Sequence, residues 1–245
     1  MKVIKIYETG SVRKKNEDSF LILPTWKLFA VADGMGGHKA GEVASKMAVE
    51  KLKKRASVLK DLKVEKIPVW MTETIEEANR HIFEASIKTD GMEGMGTTLT
   101  ALVIKDNKAI VGHIGDSRIY LWRASNLSLL SEDHSMVNEL VRMGELSAEK
   151  AKTHPHRNIL SKALGVGETV EIDCFQLEVQ AGDVFLLCTD GFSNMLESNE
   201  IAMEFAAQGT WEEHLQNLKE LVFQRGAPDN FTAVCCILNG EDNVV

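Results

Sequence analysis

Leu28-Phe29-Ala30-Val31-Ala32-Asp33-Gly34-Met35-Gly36-Gly37-His38 is an apolar run that delivers a carboxylate into a turn with three glycines. Five apolar residues bounded by turn residues read as a strand buried on both faces. Glycine in such a turn lets the backbone approach a ligand closely and adopt positive φ. Asp-Gly is also the commonest short hairpin signal, so this pair alone decides nothing. The pattern recurs, however, at Ile114-Gly115-Asp116-Ser117, at Leu187-Cys188-Thr189-Asp190-Gly191 and, with a different lead-in, at Pro228-Asp229-Asn230. Carboxylates at strand ends and loop tips of one scaffold are how hard cations are gathered.

Toward the N-terminus, Pro24-Thr25 forms a turn and 19–23 reads as a second strand. That strand is entered from Arg13-Lys14-Lys15-Asn16-Glu17-Asp18, so Asp18 also stands at a strand edge. Residues 2–7 alternate polar and apolar, as a half-buried strand does. Toward the C-terminus the period becomes helical. A helix from 41 to about 59 stripes Ala44, Ala48 and Leu52, with Lys51, Lys53, Lys54 and Arg55 well placed against its dipole. A polar connector over 61–68 leads to a helix over about 70–87, with Met71, Ile75, Ala78 and Ile82 on one face. Strand periodicity returns at 97–105, 109–116 and 118–122, and tight turns between the three predict one antiparallel meander.

A helix over 135–143 ends at Gly144. Residues 145–168 are the least regular, the mark of a lid or binding loop in a compact domain. Strands follow over 170–179 and 183–189, then a helix started by Ser198. The capping box Thr210-Trp211-Glu212-Glu213 opens another helix, which Gly226 ends before a last strand over 231–238. A doubly wound parallel sheet needs helix and strand to alternate throughout, and here helices come in pairs after blocks of strands. The expected class is α+β: an antiparallel β-sandwich with a helix pair on each outer face. One domain spans 1–240, and 241–245 is a frayed tail.

The 245 residues, 44% hydrophobic and 26% charged, suit a globular domain. A net charge of −8 argues against nucleic acid or an anionic membrane surface as partner. Residues 1–7 are too short and lysine-studded for a signal-peptide core, and no apolar run approaches membrane-spanning length. Cys174, Cys188, Cys235 and Cys236 all fall in strand-like runs. The adjacent pair points to opposite faces, which suits neither a zinc knuckle nor a disulfide framework. They read as small buried hydrophobes in a reducing cytoplasm.

Asp18, Asp33, Asp190 and Asp229 share one situation, an acid at a strand end beside a small or polar turn. Gathered together they repel, and their pKa values rise unless a cation neutralises them. The donors are oxygens, and no Cys or His is spaced for zinc, so Mg²⁺ or Mn²⁺ is favoured. Two such ions about 3.5–4 Å apart lower the pKa of a shared water and clamp an in-line displacement. Arg13, at loop distance from Asp18, is a cation suited to phosphate oxygens. No cysteine sits in a phosphate-cradling loop as a thiolate nucleophile requires.

These residues together resemble the metal-dependent protein phosphatase 2C family in its bacterial form. The resemblance rests on Thr9-Gly10, Arg13, Asn16-Glu17-Asp18, Asp33-Gly34-Met35-Gly36-Gly37-His38 and Gly41-Glu42. It continues in order through Gly96-Thr97-Thr98, Gly115-Asp116-Ser117-Arg118, Asp133-His134-Ser135, Thr189-Asp190-Gly191 and Asp229-Asn230-Phe231-Thr232. The family's fold is a four-layer α/β/β/α sandwich, in agreement with the helix pairs. The resemblance implies that Asp33 bridges two metal ions and that the Gly34 carbonyl ligates one of them. It implies that Asp190 and Asp229 hold one ion, that Asp18 and Glu17 reach metal waters or the second ion, and that Arg13 binds the substrate phosphate. Asp116 matches the position that helps bind a third, weaker ion in bacterial relatives, and 144–168 corresponds to the variable flap.

Eukaryotic-type members carry a histidine directly after Asp-Gly, discussed as the general acid. This chain has Met35 there and offers His38, so His38 and a metal-bound water are the two candidates for that proton. His38 alternatively braces the glycine loop. Glu17 is alternatively a solvated neighbour, and Asp116-Ser117 a plain Asx turn. His134 is expected to fasten loops, and His154 and His156 to lie on the flap surface. Only the family parallel brings Ser161 near the third ion.

The implied function is a cytoplasmic, monomeric serine/threonine protein phosphatase. It hydrolyses phosphoserine and phosphothreonine by direct attack of a metal-activated water, opposing a serine/threonine kinase. A catalytically silent phosphoprotein binder is a rival, but it has no need of Arg13, Asp18, Asp33, Asp190 and Asp229 together. A phosphatase for small metabolites is another, favoured by a deep closed pocket over an open cleft.

Overall fold

Strands that are apolar on both faces need two covers, and here each sheet gets one from the other sheet and one from helices. The computed structural model describes residues 1–36 and 40–239. In chain order come β1 (Lys2–Glu8), β2 (Ser19–Leu23), β3 (Leu28–Ala32), the short β4 (Gly34–Met35), α1 (Ala40–Arg55) and α2 (Ile67–Lys88). Next are β5 (Gly96–Thr97), β6 (Leu99–Lys105), β7 (Lys108–Ile114), β8 (Arg118–Arg123), β9 (Asn126–Leu129), α3 (Met136–Arg142) and α4 (Ala148–Lys152). The chain closes with β10 (Asp173–Glu178), β11 (Val184–Cys188), the single turn α5 (Asp190–Ser193), α6 (Ser198–Ala206), α7 (Trp211–Gln224) and β12 (Phe231–Ile237).

One sheet is ordered β10-β7-β6-β3-β2 and the other β1-β12-β11-β8-β9, with antiparallel neighbours throughout. The side-chain alternation of β3 shows why its sequence is apolar without a break. Leu28, Ala30 and Ala32 face α1 and α2 with Leu52, Met71 and Ile75, while Phe29 and Val31 join Leu121, Phe185 and Val234 between the sheets. A third core lies under α6 and α7, where Phe192, Ile201, Leu215 and Leu218 meet Tyr120 and Leu186. The result is the expected α/β/β/α sandwich. Cys235 faces the helices and Cys236 the space between the sheets. All four cysteines are free; Cys174 is half-buried and the others are buried. Among the described residues no helix is long and apolar enough to cross a membrane.

Two expectations need correction. α2 begins at Ile67, inside the polar connector, because Pro68 falls in its first turn, where a missing N–H costs nothing. The predicted three-strand meander is split: β6 and β7 pair, but β8 crosses to the other sheet between β11 and β9. The crossing occurs at Gly115, whose φ of +101° and contact with Thr98 exclude a side chain, since a Cβ there would stand 2.5 Å from the Thr98 methyl. Strand periodicity reports burial on two faces and says nothing about which sheet supplies the neighbours.

Candidate metal centre

Register brings the acids together. Ser19 pairs with Ala32, so the next residues of the two strands, Asp18 and Asp33, leave the sheet end side by side. In the other sheet Cys188 pairs with Ala233, and the main chain continues the contact from Thr189 N–H to the Thr232 carbonyl at 3.0 Å. Asp190 and Asp229 flank this pair, and Asp116 lies on the crossover between the sheets.

Asp18 and Asp33 are held by polar groups at the ends of apolar runs. Asp18, 2% exposed, accepts hydrogen bonds on Oδ2 from the hydroxyls of Thr189 (2.8 Å) and Thr232 (2.7 Å). Its Oδ1 is buried with no protein partner. Asp33 is fixed through its main chain: its N–H donates to Thr98 Oγ1 at 2.9 Å and its carbonyl accepts from Thr98 N–H and from Thr97 Oγ1. The Thr98 hydroxyl also meets Ser117 Oγ at 2.7 Å, and Thr100 Oγ1 donates to the Ser117 carbonyl at 3.0 Å. A strip of buried hydroxyls therefore joins the Asp33 turn to the Asp116 crossover.

Arg13, exposed, places Nη2 2.7 Å from Asp229 Oδ2. The Arg13 loop is tied down by Asn230, whose amide nitrogen donates to the carbonyls of Thr9 and Lys15 and whose oxygen accepts the Glu17 N–H, each at 2.8 Å. Glu17 lies half-buried, and burial raises its pKa. Gly34 is sandwiched between the Glu17 carbonyl, to which its N–H donates, and Gly41 of α1. A Cβ on Gly34 would meet the Gly41 carbonyl oxygen at 2.1 Å, so neither glycine has room for a side chain. His38 lies outside the described residues.

Electrostatics make the cluster fit for cations. Burial, aggravated by Asp190 and Asp229, pushes Asp18 up to about 7 against the help of its two threonines. Burial and Asp190 push Asp116 up to about 8. Asp33 is held well above the usual carboxylate range by burial and by Asp18 and Asp190, and its carboxyl is in hydrogen-bonding contact with that of Asp190. Among the described residues no three Asp, Glu, His or Cys side chains are already arranged round one point to hold an ion. Arg13 offsets the charge of Asp229, and the hydrogen bond from the Asp33 carboxyl to Asp190 requires a proton, which a divalent cation would replace. Hard oxygen donors, mutual repulsion and an orphaned Asp18 oxygen together fit Mg²⁺ or Mn²⁺.

Some expected residues serve as scaffold. His134 accepts the Gly115 N–H on Nδ1 at 3.2 Å and lies 3.2 Å from Asp173 through Nε2, fastening the crossover as expected. The rings of His154 and His156 lie 5.6 Å apart at a tilt of 54°, and Ser161 is exposed. Sequence reading had not assigned roles to Thr189, Thr232, Asn230 and Asn194, the last donating to Asp190 Oδ2 at 3.2 Å. Thr189 and Asn230 stand directly beside Asp190 and Asp229, but Thr232 and Asn194 stand three and four residues away, and nothing in the sequence singles them out. From the acids a cleft of about 980 Å³ extends between α3–α4 and the turn from α5 to α6.

A family model described as Protein phosphatase 2C matches residues 11–223. The serine/threonine phosphatase stp of Listeria monocytogenes is 40% identical over 233 residues, covering 93% of this chain and 92% of that protein. Serine/threonine phosphatase Stp1 from Staphylococcus aureus superposes with a TM-score of 0.92 at 32% identity, covering 98% of this chain and 95% of that one. The catalytic domain of the serine/threonine protein phosphatase PstP, solved in complex with two manganese ions, gives 0.85 at 33% identity, covering 97% and 98%. Two antiparallel sheets meeting at a mouth of aspartates, in a sequence matched over nearly its whole length, place this chain in the protein phosphatase 2C family.

Proposed function

We propose that this chain is a metal-dependent serine/threonine protein phosphatase that removes phosphoryl groups from phosphoserine and phosphothreonine by direct attack of water. The observation that carries the reading is the meeting of Asp18, Asp33, Asp116, Asp190 and Asp229 at one mouth formed by both sheets. Asp33, Asp190, Asp229 and the Gly34 carbonyl would hold two core ions, with Asp18 and Glu17 supporting them and Asp116 serving a third, weaker one. When bound, Mn²⁺ or Mg²⁺ lowers the pKa of water, orients it in line with the leaving oxygen and neutralises phosphoryl charge.

The chain's own groups do the rest. Arg13, freed from Asp229, offers two N–H donors to phosphoryl oxygens in a fixed fork. Asn230 fixes the main chain of the loop that carries it, and the threonine pair fixes the Asp18 carboxylate in place. His38 is the chain's candidate for protonating the leaving alkoxide. The four free cysteines support a reducing cytoplasm, and a phosphoprotein substrate supports an opposing serine/threonine kinase. We take the catalytic unit to be one monomeric domain over 1–240 with its flap at about 144–168.

Hydrolysis of a phosphothreonine peptide and of p-nitrophenyl phosphate, with and without Mn²⁺ and EDTA, tests the reading. Turnover should vanish on chelation and return with Mn²⁺ or Mg²⁺ but not with Ca²⁺ alone, which is larger and looser in its coordination. Undiminished turnover after prolonged dialysis against EDTA would sink it.

A further inference from the structure

Asp116 stands between β7 and β8, on the stretch 115–117 that belongs to neither sheet. Its carboxylate is bonded by its own main-chain N–H, so it points where the main chain of the crossover points. On one side that main chain is tied through Ser117, by Thr100 Oγ1 at the carbonyl and by Thr98 Oγ1 at the hydroxyl. On the other side stands Gly115, which has no side chain with which to brace its φ of +101°.

Both polar groups of the Gly115 main chain go to one residue. The buried His134 donates its main-chain N–H to the Gly115 carbonyl at 2.8 Å, and its ring Nδ1 accepts the Gly115 N–H at 3.2 Å. An accepting nitrogen carries no proton, so the proton is on Nε2, which donates to Asp173 Oδ2 at 3.2 Å. The His113 ring packs 5.0 Å from the His134 ring. A buried N–H needs some acceptor, and any carbonyl or hydroxyl would serve. A ring held at both nitrogens adds direction, which a carboxylate one residue further on converts into position.

We propose that His134 is a positioning residue for Asp116: by clamping both main-chain groups of Gly115 it aims the Asp116 carboxylate at the mouth shared with Asp190. The proposal rests on the reading of Asp116 as holder of a third, weaker ion, and adds what makes that acid competent to hold it. Asn and Gln divide the two ring nitrogens between them. His134→Asn sets Oδ1 where Nδ1 stood, keeping an acceptor for Gly115 but no donor for Asp173. His134→Gln sets its amide nitrogen where Nε2 stood, keeping a donor for Asp173 but no acceptor for Gly115.

Calorimetric Mn²⁺ titration should show tight binding of the core ions unchanged in both variants. The weaker third affinity should fall about tenfold in His134→Gln, the low end of what outer-shell partners contribute, and stay near the parent's in His134→Asn. The Mn²⁺ dependence of kcat should split the same way. Added to Asp116→Ala, His134→Gln should change neither Mn²⁺ binding nor kcat any further, because it acts through that carboxylate. Equal losses in the Asn and Gln variants, a third affinity untouched in His134→Gln, or losses that add to those of Asp116→Ala overturn the proposal. If His134→Gln melts below the assay temperature, Asp173→Ala, at a half-exposed site, takes its place. A ring without that partner no longer keeps Nδ1 bare, and the third affinity should fall about threefold, the weak end of one hydrogen bond. No fall there overturns the proposal too. A parent that binds the core ions alone, or whose third ion survives Asp116→Ala, discards the third-ion reading and the clamp's role with it. A parent that binds Mn²⁺ but turns over no phosphopeptide rejects the phosphatase reading, while the calorimetric split still decides the clamp.

Discussion

At the scale of single residues the contact between Arg13 and Asp229 makes a pointed prediction. The guanidinium sits 2.7 Å from a carboxylate proposed as a metal ligand, so the two prospective occupants of Asp229 compete. Arg13→Ala should therefore raise KM for phosphopeptides about tenfold to a hundredfold, the worth of charged hydrogen bonds to phosphate. Affinity for Mn²⁺ should stay level or tighten, because Asp229 loses its rival. Steady-state kinetics beside calorimetric Mn²⁺ titration separates the roles. An unchanged KM with weakened metal binding would make Arg13 part of the scaffold. Asp18, Asp33, Asp116, Asp190 and Asp229 were legible in the sequence because one situation, an acid at a strand edge beside a small or polar turn, recurs along the chain. The hydroxyls of Thr189 and Thr232 were not, since threonine is ordinary in strands and their partner Asp18 lies far away in the chain.

At the scale of elements the loop before β2 is held by a residue that precedes β12. Asn230 is 5% exposed, and its side chain makes three hydrogen bonds, to Thr9, Lys15 and Glu17. Asn230→Ala should cost about 3 kcal/mol, near 1 kcal/mol for each bond lost to a buried group. Urea unfolding measures this, and a change below about 0.5 kcal/mol would mean that other contacts hold the loop. The strands and long helices were readable from their periods, and the caps from Ser135 and Thr210, whose side chains accept from Asn138 and Glu213 as their positions require. The destination of β8 was not readable. Its sequence, Arg118-Ile119-Tyr120-Leu121-Trp122-Arg123, alternates equally well beside β7 or beside β11. The choice is made by Gly115 and by the hydroxyls of Thr98, Thr100 and Ser117, none of which leaves a periodic trace.

At the scale of the whole molecule the acid cluster ties stability to pH. Asp18 at about 7 and Asp116 at about 8 bind protons more tightly in the folded than in the unfolded chain, where carboxylates titrate near 4. A raised folded pKa stabilises fully below the unfolded value and loses that contribution as pH rises through the folded one. In EDTA the Tm should therefore fall between about pH 5 and pH 8, apart from the general trends of other groups. Mn²⁺, which takes the place of those protons, should raise Tm more at pH 8 than at pH 5. Thermal melts at the two pH values, with and without Mn²⁺, decide the matter; an equal or larger Mn²⁺ effect at pH 5 contradicts the assignment.

The crossing of the chain from β7 to β8 has a mechanical side. Asp18 and Asp33 hang from one sheet, Asp190 and Asp229 from the other, and Asp116 from the strap between them. Elsewhere the layers meet mainly through apolar side chains, with a directed bond from Arg123 to the Glu178 carbonyl at one edge. An occupant gripped by carboxylates of both sheets works as a rivet through the sandwich. Its arrival should stiffen the breathing of the two layers against each other, so that amide protons along β3 and β11 exchange more slowly as a pair than either sheet's own hydrogen bonding would explain.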